Sequence, residues 1–153
     1  WLPELNLTED EPLRLEACAV EYSRSLVLFC LHESILKYGQ DLKNKQWIIE
    51  PLANMVISLA IMDSGVKRYI QIKAGEHKDN TRNIIQLSVS DQFNICHRNG
   101  MDITEELFSG EMLMKKRNLV SQWYTKTEYT PNRIKYQKKI ANTLYENKKY
   151  YLD

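Results

Sequence analysis

The stretch from Gln46 to Lys73 constrains the fold more than any other part of the chain. Its large apolar residues recur at alternating intervals of three and four, which places them along one side of an α-helix: Ile48, Leu52, Met55, Leu59, Met62, Val66 and Ile70. A second apolar line falls on the far side: Ala53, Ile57, Ala60 and Ile61. A helix that is apolar on two sides needs neighbours on both. The spacing therefore predicts a central helix, fully buried along the line from Leu52 to Val66.

Glycines and capping residues predict where this helix and the one before it begin and end. The first helix follows a capping-box pattern at Thr8 and runs from about residue 12 to Tyr38, because Gly39 suits a helix C-terminus. After a polar link, the central helix extends to about Ala74, with a kink or restart at Pro51.

Similar signals divide the second half of the chain into three helices. The third is predicted over residues 81–99, stopping at Gly100, and the fourth begins after Asp102 or Thr104. The pattern breaks at residues 125–130, and Thr130 followed by proline then opens a fifth helix. We expect Ile134, Ile140 and Leu144 to be its inward residues. No stretch shows the alternation of a strand.

These helices and their short links predict an all-α fold, an antiparallel up-and-down bundle of four long helices plus a basic C-terminal helix. Residues 1–11 are interpreted as an entry segment and residues 12–126 as the bundle. Residues 131–150 form a basic amphipathic helix that is either packed on the bundle or appended to it. The chain has 153 residues, of which 43% are apolar, enough for one domain with a core.

The C-terminal quarter is the compositional anomaly of the chain. Overall net charge is +1, yet ten of the 21 lysines and arginines lie beyond residue 114, interleaved with six of the nine tyrosines. One face of the fifth helix carries the candidate contacts to an anionic surface: Arg133, Lys135, Lys138, Lys139 and Lys149. Such a face can contact acidic lipid or RNA, while an ordinary solvated lysine face is the simpler interpretation.

Signatures of catalysis, cofactor binding and metal binding are missing from the sequence. It has no glycine-rich phosphate loop, and its three histidines have no partner at helical metal-site spacing. The acidic pair Glu105 and Glu106 is explained by the helix dipole. Glu33 falls on an apolar stripe, and we interpret it as a snorkelling or hydrogen-bonded carboxylate rather than a functional one. We therefore assign no catalytic, cofactor-binding or metal residues.

The cysteines and the chain's first residues bear on its cellular setting. Three widely spaced cysteines encode neither a disulfide framework nor a zinc site, and we interpret them as reduced thiols of an intracellular, cytoplasmic protein, mostly in the core. No uninterrupted apolar run reaches the length of a membrane span, and no signal peptide is evident. Because the chain begins at Trp1 without methionine, we expect a piece of a longer protein.

The segment LANMVISLAIMDSGVKR, residues 52–68, resembles the L-A-[DN]-x-x-[IV]-x-L-x-A-M helix of the acyl-CoA dehydrogenase family. The similarity is most specific at Leu52, Ala53, Asn54, Leu59, Ala60 and Met62. More broadly, residues 13–125 are similar in helix order to the extra C-terminal helical domain of the very-long-chain branch. The single Gly100, where the family's catalytic bundle has a Gly-Gly pair, favours that extra domain.

The resemblance implies a non-catalytic accessory domain of a flavoenzyme of fatty-acid β-oxidation. Its role would be assembly, covering a surface or membrane association. No cofactor is expected in this piece, whereas FAD is expected in the parent chain, an oxidoreductase located in the mitochondrial matrix if the source is eukaryotic. The implied partner is the parent's catalytic module, with a homo-oligomer and a weak contact to an anionic membrane left open.

The alternative from a different class is a free-standing helical binding module. Its basic C-terminal helix would contact an acidic partner, anionic lipid or RNA, although nucleic acid is the least favoured of these. The two interpretations differ in what the coding sequence upstream of Trp1 contains.

Overall fold

The computed structural model describes residues 13–72 and 78–147, and every regular element in these ranges is helical. The α-helices are α1 (Arg14–Tyr38), α2 (Gln46–Gln71), α3 (Lys78–Leu107), α4 (Gly110–Lys126) and α5 (Arg133–Asn147). A short 3₁₀-helix, Gly39–Asn44, joins α1 to α2. The predicted all-α bundle of four long helices and a basic C-terminal helix is confirmed. The predicted entry segment, residues 1–11, lies outside the described residues.

Helix α3, and not α2, occupies the centre of the bundle. It packs against α1, α2, α4 and α5, whereas α2 contacts α1, α3 and the 3₁₀-helix. The prediction of α2 as the central helix was wrong because only one of its two apolar lines is covered. Met55 and Met62 on the inner line are fully buried, but Ile57 on the outer line is 57% exposed.

The inner line of α2 otherwise follows the prediction closely. Leu52 and Val66 are buried together with the two methionines, while Leu59 is only half-buried. Toward the end of the helix the buried position shifts from Ile70 to Tyr69, which leaves Ile70 exposed to solvent.

The ends of α1 and α2 agree only partly with the sequence signals. Gly39 ends α1 as predicted, with a φ of 52° that favours glycine. Helix α2 continues through Pro51 as one helix, so the predicted restart does not occur. It ends at Gln71 rather than near Ala74, because Ile72 is already extended with a ψ of 123°.

Helix α3 passes through Gly100, where the sequence predicted its end. It begins at Lys78, three residues before the predicted start, and continues to Leu107. A Cβ built on Gly100 would lie 2.5 Å from Leu26 Cδ2 of α1, so this glycine permits a close approach of two helices. Sequence reasoning mistook a packing glycine for a capping glycine.

The fourth and fifth helices begin later than predicted. Asp102 and Thr104 lie within α3, and α4 starts at Gly110, whose φ of 55° follows the break after Leu107. The N-terminus of α5 is capped by Asn132, whose Oδ1 accepts the Lys135 N–H at 2.9 Å. The predicted cap, Thr130, lies two residues too early.

Helix α5 packs against α3 and presents a mixed inner face. Ile140 and Leu144 are half-buried, in agreement with their predicted inward direction, whereas Ile134 is 65% exposed and was predicted wrongly. The described part of the helix ends at Asn147, so the predicted extension to residue 150 lies outside it.

Candidate interaction surfaces

An exposed apolar face covers the outward sides of α1 and α2. We call it the outer apolar face and define it by six side chains that are between 39% and 58% exposed: Leu28, Leu31, Ile35, Val56, Ile57 and Ile61. Ala53 and Ala60, also exposed, lie between the α2 members. Scattered exposed apolar residues are ordinary, but a contiguous strip on two adjacent helices is typical of an interaction surface.

The outer apolar face is continuous with an open groove between α1, the 3₁₀-helix and α2. The groove has a volume of about 470 Å³. Its walls are almost entirely apolar: Val27, Leu31, Leu42, Ile49, Leu52, Ala53 and Val56. Gln40 and Lys43 of the 3₁₀-helix supply the polar part of the lining. Since Leu31 and Val56 belong to both features, the groove and the face form one surface.

Helix α2 is long and apolar enough to cross a membrane, judged by length and composition within the described residues. The most apolar 18-residue window of the helix is only 28% buried in the bundle. The earlier expectation rested on uninterrupted apolar runs and missed this helix. One such helix is weak evidence for a membrane span, because core helices of soluble proteins pass the same test. The inner line of α2 is in fact occupied by α1 and α3.

The predicted basic face of α5 divides into residues with different surroundings. Arg133 forms an ion pair with Asp91 of α3 at 2.6 Å. Lys135 and Lys139 line a cavity shared with α3, while Lys138 is exposed and does not line it. Lys149 lies outside the described residues. Contact of these residues with an anionic surface stays a prediction.

A polar cleft runs between the start of α1, α3, α5 and the link before α5. Its inner part has a volume of about 390 Å³ and is lined by Glu16, which is only 4% exposed, and by Arg14 and Glu128. Glu16 Oε1 accepts a hydrogen bond from Gln86 Nε2 at 3.1 Å. The hydroxyl of Tyr129, a residue of the same wall, is buried and has no hydrogen-bond partner within the described ranges.

The outer part of the polar cleft is basic. It has a volume of about 380 Å³, and its charged lining consists of Arg82, Lys135 and Lys139 against the single carboxylate of Asp79. Arg82, Gln86 and Tyr136 line both parts, which makes the two cavities adjoining compartments of one cleft. Sequence reasoning found the lysines but not Arg82, about 50 residues away, because only the fold brings α3 beside α5.

Aromatic side chains join α1, α3, α4 and the link before α5. Phe93 lies at the centre of this cluster, with ring centroids 5.4 Å from Tyr22, 5.6 Å from Tyr124 and 5.0 Å from Tyr129. The tyrosines of the basic tail include two members of this cluster. Tyr129 is 3% exposed and therefore packs in the core rather than offering a ring to a base.

Tyr22 and His97 form a hydrogen-bonded pair inside this cluster. The Tyr22 hydroxyl and His97 Nδ1 are 2.5 Å apart. Burial raises the pKa of Tyr22 and lowers the pKa of His97, so the phenol stays protonated and the imidazole stays neutral. The phenol is then the donor and Nδ1 the acceptor. The pair holds α1 against α3.

Glu33 is held in an ion pair, and two of the three cysteines are buried. The Glu33 carboxylate pairs with Lys116 of α4 at 2.7 Å, and the Lys116 ammonium also lies over the Phe29 and Phe108 rings.

Among the cysteines, Cys30 and Cys96 are buried and Cys18 is partly exposed. Burial raises the pKa of Cys30 to about 12 and that of Cys96 to about 11. These thiols are therefore poor nucleophiles. Residues 13–72 and 78–147 contain no cluster of ligands suited to a metal ion.

Comparison with known proteins identifies one solved structure that is informative. A crystal structure of an acyl-CoA dehydrogenase complexed with FAD, from Bacillus anthracis, matches with a TM-score of 0.83 and 25% sequence identity. The match covers 95% of this chain and 25% of that chain. No protein-family profile matches the sequence, and no curated protein does.

The class defined by these findings is a helical bundle of the kind present in an acyl-CoA dehydrogenase. The structural similarity covers 95% of this chain and supports the acyl-CoA dehydrogenase family. The chain spans only a quarter of the length of that enzyme.

Proposed function

We propose that the chain is a non-catalytic C-terminal accessory domain of an acyl-CoA dehydrogenase-like flavoenzyme of fatty-acid β-oxidation, of the kind found in the very-long-chain branch. Its role is assembly: the outer apolar face packs against the catalytic module of the parent protein. FAD belongs to that module. The observation that carries the proposal is the structural similarity to one quarter of an FAD-complexed acyl-CoA dehydrogenase.

The outer apolar face supports an assembly role on independent physical grounds. Its members are only partly covered by the described bundle, and full removal of a large apolar side chain from water gains up to about 1.5–3 kcal/mol. A neighbour that covers the face and fills the groove would therefore bind with a strong apolar driving force. Three quarters of the matched enzyme lie outside the similarity, so such a parent would offer a large surface for this contact.

The coding sequence upstream of Trp1 gives the first test. We expect it to encode a flavin-binding dehydrogenase module in the same reading frame. Its absence would favour the free-standing binding module and refute an accessory domain. A flavin spectrum of the purified 153-residue chain, or dehydrogenation of acyl-CoA by it alone, would contradict the assignment of catalysis to the parent.

The second test places a charge on the outer apolar face of the full-length parent. Ile57→Asp should loosen the domain, so that limited proteolysis cuts between domains faster and small-angle scattering gives a larger radius of gyration. Asn142→Asp is the matched control, because it adds the same charge at a polar, exposed position of α5, a helix that carries no part of the outer apolar face. Equal behaviour of the two variants would show that the outer apolar face is not the contact. Release from membranes by Ile57→Asp, with proteolysis unchanged, would assign the face to lipid instead.

A further inference from the structure

The polar cleft between α1, α3 and α5 contains groups that packing alone does not explain. Arg82, Lys135 and Lys139 line its outer part, and none of them forms an ion pair with a carboxylate of the described residues. Other basic residues of the bundle do pair: Lys45 with Asp41, Lys67 with Asp63, Lys115 with Glu111. Because three exposed cations share this compartment with a single carboxylate, an anion bound among them would be attracted by all three.

The inner part of the cleft contains buried oxygen atoms with unmet hydrogen-bonding capacity among the described residues. An ionised carboxylate can accept several hydrogen bonds, and burial makes unmet capacity costly. Glu16 is buried and receives its described side-chain hydrogen bond from Gln86 alone. The Tyr129 hydroxyl in the same wall is buried without a partner among the described groups. The inner end thus suits a molecule that supplies hydroxyl groups.

Tyr136 lies where the two compartments meet. Burial and the nearby Glu16 raise the pKa of its phenol, so the hydroxyl keeps its proton and remains a hydrogen-bond donor. Each compartment has a volume of almost 400 Å³, within the usual size of small-molecule sites. A ligand that extends through both would meet three cations and one carboxylate in the outer part, and Glu16, Glu128 and Arg14 in the inner part.

We propose that the polar cleft binds a soluble phosphate monoester that carries hydroxyl groups. The phosphate lies against Arg82, Lys135 and Lys139, whose three charges suit a dianion, and the hydroxyl groups donate to Glu16. This site is separate from the outer apolar face and does not rest on the accessory-domain assignment. It gives two of the exposed lysines of α5 a specific role.

Calorimetric titration of the 153-residue chain tests the site with three probes: ribose 5-phosphate, inorganic phosphate and ribose. We expect ribose 5-phosphate to bind at least about tenfold more tightly than inorganic phosphate, and ribose alone not to bind detectably. Binding should weaken with added salt. The absence of saturable binding of ribose 5-phosphate at millimolar concentration would overturn the proposal.

Substitutions on α5 separate a specific site from general charge attraction. The double variant Lys135→Gln with Lys139→Gln should weaken the binding of ribose 5-phosphate by about tenfold or more. Lys138→Gln is the matched control, since it removes the same charge from the same helix outside the cleft. An equal loss in the control would reduce the effect to nonspecific attraction and refute the cleft.

Two further arms test the ends of the ligand. Glu16→Gln should abolish the advantage of ribose 5-phosphate over inorganic phosphate while leaving phosphate binding in place. If Glu16→Gln leaves the advantage of ribose 5-phosphate unchanged, the hydroxyl contact is refuted. Phosphatidylcholine vesicles containing phosphatidylinositol 4-phosphate present a phosphate monoester on a lipid. Binding to these vesicles without binding to ribose 5-phosphate would overturn the soluble ligand in favour of a membrane headgroup.

Discussion

Replacing Gly100 with alanine tests the close approach of α1 and α3. Alanine is favoured over glycine in a helix by about 1 kcal/mol, which would stabilise an open position. At Gly100 the added Cβ would lie 2.5 Å from Leu26 Cδ2 and 2.8 Å from Leu26 Cγ. Leu26 is completely buried and cannot turn outward, so overpacking costs about 1–3 kcal/mol. The net expectation is a loss of about 1 kcal/mol, or about 2–4 °C in Tm.

Urea unfolding followed by circular dichroism measures this loss, and a second glycine provides the control. A Cβ at Gly65 of α2 would lie 3.6 Å from Ile85 Cγ2, an ordinary contact, so Gly65→Ala should stabilise by up to about 1 kcal/mol. In a Leu26→Ala background, itself about 2–5 kcal/mol less stable, Gly100→Ala should become stabilising. A penalty at Gly100 that persists without Leu26 would refute the steric explanation and restore the helix-end interpretation.

Four further predictions concern the core. Met62→Asp should lower the free energy of unfolding, measured in urea, by about 4 kcal/mol or more, because it buries an unpaired charge. Ile61→Asp, on the exposed side, should change the same free energy by less than about 0.5 kcal/mol. Burial lowers the pKa of His97 in the folded state, so as the pH falls the unfolded chain takes up a proton at His97 before the folded chain does. The free energy of unfolding should fall as pH drops through about 6.5, less so in His97→Gln, as urea titrations at several pH values will show. At mildly alkaline pH a thiol reagent should modify Cys18 in the native protein and the two buried cysteines only in denaturant, which absorbance can count. Hydrogen exchange monitored by mass spectrometry should be slowest in α3, which packs against four other helices, and faster in α5.

The periodicity of α2 predicted a helix correctly but not its place in the bundle. A pattern of apolar residues records which sides of a helix avoid water, and it does not record what covers each side. The inner line from Leu52 to Val66 is covered within this chain, with Leu59 only half-buried. The outer line, which includes Ile57, is not covered by the described residues. The sequence therefore supports the fold class, whereas the central position of α3 depends on contacts between distant segments.

The same limit applies to glycines and to the candidate sites. Gly39 and Gly100 look alike in sequence, yet one has a positive φ at a helix end and the other lies against Leu26 within a helix. The lysines of α5 were recognisable as a basic face from their spacing. Their combination with Arg82 and Glu16 required the packing of three helices, and no local pattern indicates it.

The composition of the outer apolar face supports the proposal that another surface covers it. Valine and isoleucine are weaker helix formers than alanine, lysine or glutamate by a few tenths of a kcal/mol each, roughly, so Val56, Ile57 and Ile61 weaken α2 slightly at positions where they bury little. Polar helix formers at these positions would keep the bundle intact and more soluble. The neighbouring exposed positions 67 and 68 are indeed Lys and Arg. Apolar residues at Val56, Ile57 and Ile61 are therefore the composition expected of a covered surface, and this is the physical reason for proposing that the catalytic module of the parent protein covers them.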